Sequence, residues 1–177
     1  MEIPQRQSVK VLLLNPKNQL LLMHVDDPKT RSSDGKYHGS FWAPIGGGIK
    51  FPETAQQAAV REVFEETGIQ LKDRELGPMV WYGEFDLILD AKMTHIKQFY
   101  FVARTKQTET SLSNLTQSEK KTVKKLHWFS LKELQESDEV FFPVVLLDFL
   151  PDILAGKYPK EPLELDLTLQ PKKTAKK

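Results

Sequence analysis

The stretch REVFEETGI, residues 61–69, carries three glutamates, and a fourth, Glu53, lies eight residues upstream of Arg61. At about 100° per residue, a helix that sets Glu62 at 0° sets Glu65 near −60° and Glu66 near +40°, so the three carboxylates share one narrow face. Ala59, Val60, Val63 and Phe64 form an apolar flank beside it. Such a stripe opposes its own formation. Like charges at i,i+3 and i,i+4 cost a few tenths of a kcal/mol when exposed. Two charges about 4 Å apart interact by roughly 4 kcal/mol once the effective dielectric falls to about 20. Arg61 can offset part of this by pairing with Glu65 at i,i+4. A divalent cation offsets more, and all-oxygen ligands suit the hard ions Mg2+ and Mn2+. The competing account is a solvated acidic face, which is what most glutamate-rich helices present. The segment ahead of the helix weighs against it. PIGGGIKFPE, residues 44–53, places Gly46, Gly47 and Gly48 in a row, where a tight turn needs one or two. Bare backbone can approach a ligand closely, with carbonyls facing a metal or amides facing phosphate.

These residues need a scaffold to position them. TAQQAAVREVFEET, residues 54–67, is a helix by propensity, with no glycine or proline inside it. Pro52 suits its start, and Gly68 suits the left-handed position past its end. SVKVLLLN (8–15) and QLLLMHV (19–25) flank the turn signal PKN and read as a hairpin, central in a sheet because both faces are apolar. DDPKTRSSDGKYHGS (26–40) reads as a long polar loop of the kind that often carries function. FWAPIGGGI returns to extended chain. MVWYGEFDLIL (79–89) and MTHIKQFYFVAR (93–104), joined by a turn at 90–92, read as long antiparallel strands. Residues 105–122 are polar, KKLHWFS (124–130) is another strand, LKELQES is a short helix and FPVVLLDFLPDIL (142–154) a more apolar one. Strands and helices alternate without a strict βαβ order, which predicts an α/β fold of the α+β kind with a mixed sheet between helices.

Composition narrows the function classes. The 177 residues suffice for one core, and 40% are hydrophobic. Net charge is +1, so no global field selects nucleic acid or a membrane. Cysteine is absent, which excludes disulfides, thiolate zinc sites and a cysteine nucleophile, and fits a reducing cytoplasm. No early apolar run follows a basic start, so no signal peptide is expected, and VVLLDFL is far too short to span a bilayer. Residues 1–160 are expected to form one domain, and 161–177, ending in QPKKTAKK, a polar, basic and flexible tail.

Gly47, Glu53 and the run Arg61-Glu62-Val63-Phe64-Glu65-Glu66-Thr67-Gly68-Ile69 resemble the Nudix box at each of its defined positions: glycine, five residues, Glu, seven residues, Arg-Glu, an aliphatic residue, one residue, Glu-Glu, one residue, Gly, an aliphatic residue. FWAPIGG and LHWFSLKEL resemble segments that flank the box, extending the likeness over residues 8–155. The resemblance implies an α/β/α sandwich. It also implies hydrolysis of a nucleoside diphosphate linked to another group, assisted by Mg2+ or Mn2+. By position, it assigns Glu62, Glu65 and Glu66 as metal ligands, with the Gly46 carbonyl as a further one. Some members use the residue at Glu62 as general base. Glu53 would support helix and ligands by hydrogen bonding, and Arg61 would orient the carboxylates. Many members have proline directly before the glycines, whereas here Ile45 intervenes.

Family members often take another acidic ligand from outside the box. Glu109 and Glu119, in the polar 105–122 segment, are the candidates, each weighed against ordinary surface charge. Positions 84–87 are Glu-Phe-Asp-Leu, so the proline and tyrosine markers of the ADP-ribose and dinucleoside polyphosphate subgroups are absent. The diphosphate isomerase branch relies on a cysteine that this chain lacks. In the 26–40 segment Arg31, Lys36 and His38 are candidate substrate contacts, against the account of a solvated loop. Trp42 and Trp81 read as core. The expected partner is a small nucleotide-type molecule rather than nucleic acid or a membrane, and a homodimer is compatible. Two rival readings stand beside the enzyme: a catalytically weak domain that binds a nucleotide metabolite, and an RNA-cap hydrolase.

Overall fold

The computed structural model describes residues 2–32 and 38–168. Its strands are β1 (Gln5–Leu14), β2 (Leu20–Ser32), β3 (His38–Gly48), β4 (Leu76–Leu89), β5 (Lys92–Arg104), β6 (Val123–Phe129) and β7 (Leu163–Glu164). Its helices are α1 (Ala55–Thr67), α2 (Glu119–Thr122), α3 (Leu131–Glu136) and α4 (Leu146–Leu154). The strands form one mixed sheet in the order β6-β2-β3-β1-β5-β4-β7, with β1 parallel to β5 and β4 parallel to β7.

Helices cover both faces, which is why Val11–Leu14 of β1 is apolar on both sides. Val9, Val11 and Leu13 turn toward α1 and pack with Ala58, Ala59 and Val63. Leu12 and Leu14 turn the other way and pack with Leu146, Leu150 and Ile153 of α4. Trp42 and Trp81 lie in this second core, as the sequence suggests, with 3% and 1% of their surface exposed. The α/β/α sandwich is therefore the observed architecture.

Several local expectations change. The first two strands do not form a hairpin: they pair only at Leu14↔Leu20, and β3 lies between them in the sheet. β3 changes partner along its length, from β2 over 38–44 to β1 over 45–48. Apolar patterning fixes which faces are buried but not which strand is the neighbour. The 26–40 segment is not a long loop. β2 runs to Ser32 and β3 starts at His38, and the pairs Asp26↔Ser40, Asp27↔Gly39 and Arg31↔His38 make a polar two-stranded ribbon. Arg31 and Ser32 also pair with Ile88 and Leu87 of β4. Backbone hydrogen bonds hold this ribbon, so its side chains need no apolar face. The apolar helix near the C-terminus begins at Leu146 rather than at 142. Residues 163–165, expected in the tail, join the sheet: β7 pairs with Trp81 and Tyr82, and Leu165 is buried.

The β4–β5 connection is a two-residue turn in which Asp90 and Ala91 both have positive φ, 47° and 64°. Alanine in the left-handed region strains by about 1 kcal/mol or more, and glycine does not. Ala91→Gly is expected to stabilise the protein by about 1 kcal/mol and raise the melting temperature by about 2–4 °C in calorimetry. An unchanged or lower melting temperature would contradict the turn geometry.

Candidate active site

Helix α1 starts with a reciprocal cap. The Thr54 side chain accepts from the Gln57 amide, and the Gln57 side chain accepts from the Thr54 amide. It ends at Gly68, in the left-handed conformation with φ 76°, whose amide donates to the Phe64 carbonyl. Between these caps the buried face is Ala58, Ala59, Glu62, Val63, Glu66 and Thr67. The apolar flank inferred from spacing is thus displaced: Val60 is half-buried and Phe64 is exposed. Two of the glutamates instead point into the protein, Glu62 with 7% and Glu66 with 4% of their surface exposed.

Triglycine backbone receives them. The Gly46 amide donates to Glu66 Oε2 at 2.8 Å. Gly46 has φ 152°, and a side chain there would collide with the Val9 carbonyl. A Cβ on Gly47 would stand 2.6 Å from Glu62 Oε1, so its absence is the cradle for that carboxylate. Ile45, the residue that departs from the common family pattern, is fully buried in the α1-side core.

Arg61 ties the parts together. Its Nε and Nη2 bind both oxygens of Glu53, at 3.0 and 2.6 Å. Nη1 donates to Glu62 at 2.9 Å and to Glu65 at 3.1 Å, and Nη2 also donates to the Gly48 carbonyl at 3.0 Å. Glu53 in turn accepts from the Lys50 amide and closes the turn ahead of the helix. The expected Arg61–Glu65 pair is therefore present, within a wider clamp on three carboxylates.

The electrostatics differ along this chain of groups. Hydrogen bonds from Arg61 hold Glu53 down at about 2. Burial pushes Glu62 up despite Arg61, with Glu65 and Glu119 adding to the rise. Burial also pushes Glu66 well above the usual carboxylate range; Lys10 opposes this, and Glu62 and Glu119 reinforce it. Lys10 is itself lowered by burial, while Glu66 and Glu62 pull it back up.

Glu119, the candidate from outside the box, belongs to this set, since its charge acts on both Glu62 and Glu66. Its Oε1 accepts from Thr116, while its Oε2 is buried with no hydrogen-bond partner. Glu109 is exposed and is not among the charges acting on either residue. Arg31 and His38 lie opposite each other on the ribbon, eight residues along β3 from Gly46 in the case of His38. Lys36 lies outside the described residues. Lys10 escaped the sequence reading, although a single lysine interrupting the apolar run VKVLLL was a signal.

Among the described residues, no three acidic, histidine or cysteine side chains stand close enough together to enclose an ion as they are. Arg61 holds Glu62 and Glu65, and the Gly46 amide holds Glu66. The donor set nevertheless fits a hard divalent cation: it is all oxygen, it carries excess negative charge, and one buried carboxylate oxygen lacks a partner.

A family model of the NUDIX domain matches residues 4–148. Among solved structures, the chain is similar to a MutT protein from Methanosarcina mazei Go1, with a TM-score of 0.60 and 23% identity over 88% of this chain and 97% of that one. A NUDIX hydrolase from Nitrosomonas europaea has a TM-score of 0.54 and 19% identity, covering 89% and 93%. A MutT NUDIX hydrolase from Burkholderia pseudomallei has a TM-score of 0.52 and 22% identity, covering 72% and 84%. The chain belongs to the NUDIX family and is a pyrophosphohydrolase of the general nucleoside diphosphate-linked class. No helix among the described residues is long and apolar enough to cross a membrane.

The direction of these shifts predicts a pH dependence. A carboxylate whose folded pKa is raised destabilises the fold increasingly as pH climbs from its unfolded value, 4.5, through the folded one. Glu53 has the opposite sign: its contribution is present above 4.5 and lost as pH falls toward about 2. In chelator, the melting temperature is expected to peak near about pH 5 and fall toward about pH 8, with Glu66→Gln flattening the alkaline slope. A melting temperature that rises steadily over that range in wild type would contradict the buried-carboxylate assignment.

Proposed function

We propose that this protein is a Mg2+- or Mn2+-dependent hydrolase of a nucleoside diphosphate linked to a further group. The observation that carries the reading is the charge imbalance at the glycine strand. Five carboxylates, Glu53, Glu62, Glu65, Glu66 and Glu119, gather there, two of them buried, and among the described residues the cations beside them, Arg61, Lys10, Arg6 and Lys50, are fewer. Glu62, Glu65 and Glu66 would hold the ions, with the Gly46 carbonyl and the unpartnered Glu119 oxygen completing an oxygen-only set. Bound divalent ions supply charge stabilisation at the phosphate oxygens and a more acidic water.

The chain's own residues do the rest. Arg61 donates to Glu62 and Glu65 and sets their direction. The Gly46 amide fixes Glu66 against the strand. In the hydrolytic step a water oxygen bonds to one phosphorus of the diphosphate, the bridging P–O bond breaks, and the water's proton passes to a carboxylate of the cluster. Arg31 on β2 and His38 at the start of β3 pair on the ribbon, which makes them candidates for a distal part of a long substrate. Retention of all three helix glutamates favours an enzyme over a binding domain.

A panel of nucleotides, sugar nucleotides, dinucleotide cofactors and capped RNA, assayed with Mg2+ and with Mn2+, identifies the substrate. Excess EDTA is expected to abolish turnover. Glu66→Gln is expected to lower kcat on the best substrate by about a hundredfold or more, while the metal-free melting temperature holds or rises, because glutamine keeps the helix and removes a buried charge. Wild-type turnover by Glu66→Gln, or full activity in EDTA, would overturn the mechanism.

A further inference from the structure

Two cations stand on β1 beside the triglycine strand. Arg6, Ser8 and Lys10 share one face of β1 by the two-residue period of a strand. Ser8 and Lys10 lie opposite Gly48 and Gly46 on one side, and opposite Gln98 and Tyr100 of β5 on the other. On the β5 side the row is fixed by a buried chain of hydrogen bonds: Ser8 Oγ donates to Gln98 at 3.1 Å, and Gln98 Nε2 donates to the Tyr100 hydroxyl at 2.6 Å. On the β3 side there are no side chains at all. The Arg6 guanidinium occupies that gap, since a Cβ on Gly48 would stand 2.7 Å from its Nη2.

Among the described residues, neither Arg6 nor Lys10 donates a side-chain hydrogen bond or forms an ion pair. This is unusual for Lys10, which is half-buried and lies in the fields of Glu66 and Glu62 without being hydrogen-bonded to either. Arg61, by contrast, spends its donors on Glu53, Glu62, Glu65 and Gly48. The guanidinium of the box is therefore committed to the protein, and the two β1 cations are the ones beside the glycines with donors to spare. An ammonium and a guanidinium lining bare backbone next to a carboxylate cluster match a ligand that carries several anionic oxygens at the same place.

We propose that Lys10 and Arg6 bind the non-bridging oxygens of the substrate's diphosphate across the glycine strand from the α1 carboxylates. The inference rests on the pyrophosphohydrolase reading and adds the residues that hold the anion. Lys10, enclosed between Gly46 and Tyr100, makes the stronger contact. Arg6, more exposed over Gly48, makes the weaker one.

The test is calorimetric titration with methylenediphosphonate, a non-hydrolysable P–C–P diphosphate, in Mg2+. Wild type, Lys10→Met, Lys10→Arg and Arg6→Ala are compared, with the melting temperature of each recorded. Lys10→Met is expected to weaken binding about tenfold or more, the scale of a lost charge-assisted hydrogen bond. Arg6→Ala is expected to weaken it severalfold, and Lys10→Arg to retain most of the affinity, which a purely structural role for Lys10 would not produce. Arg6 is exposed, so its variant reports on the anion even where Lys10→Met fails to fold. Affinities of the folded variants within twofold of wild type would overturn the proposal. So would a wild type that hydrolyses a nucleotide of the panel yet does not bind the diphosphonate. A wild type that neither binds nor hydrolyses would overturn the pyrophosphohydrolase reading, and the proposal with it.

Discussion

The guanidinium of Arg61 holds together pieces that would otherwise separate. It joins the turn before α1 through Glu53, two residues of α1 itself through Glu62 and Glu65, and the end of β3 through the Gly48 carbonyl. Its planar fork permits the paired contact with Glu53, which a lysine ammonium could not reproduce. The clamp also resolves an electrostatic difficulty. A carboxylate taken out of water needs compensation, and Arg61 supplies it to Glu62, while the Gly46 amide and the field of Lys10 supply it to Glu66. Compensation is partial, since burial still dominates for both. The structure thus keeps a site that is short of positive charge yet remains folded around it.

Much of this was legible in the sequence, and the limits are physical. The α1 helix follows from propensity and its glycine stop, and the spacing of Glu62, Glu65 and Glu66 places them together on it. Which side of the helix faces inward did not follow from hydrophobicity. Ala58 and Thr67 are buried on the inner face of α1, while Phe64 is left exposed. A carboxylate that is buried because a glycine leaves room for it, as Gly47 does for Glu62, is invisible to any apolar pattern.

Strand neighbours were the other gap. The two apolar segments at the start of the chain look like partners because they are close in sequence, yet β3 separates them in the sheet. The polar 26–40 segment looked like a loop because alternation was absent, but a ribbon stabilised by backbone pairing has no need of alternation. Lys10 illustrates the same point from the other direction. Its neighbours in sequence are aliphatic, and its meaning comes from Gly46 and Tyr100, which only the β1 register with β3 and β5 brings to its sides.

β7 is two residues long and closes one border of the sheet. Beyond it β4 would present a row of unpaired amides and carbonyls, the surface on which a second polypeptide can add itself as an extra strand. Leu163 and Glu164 occupy that row at Trp81 and Tyr82, and Leu165 is buried just beyond, donating its amide to the Tyr82 carbonyl. The last part of the described chain therefore works as a selvedge. It covers part of a vulnerable margin of the sheet against strand addition, with three strands between it and the glycine strand β3.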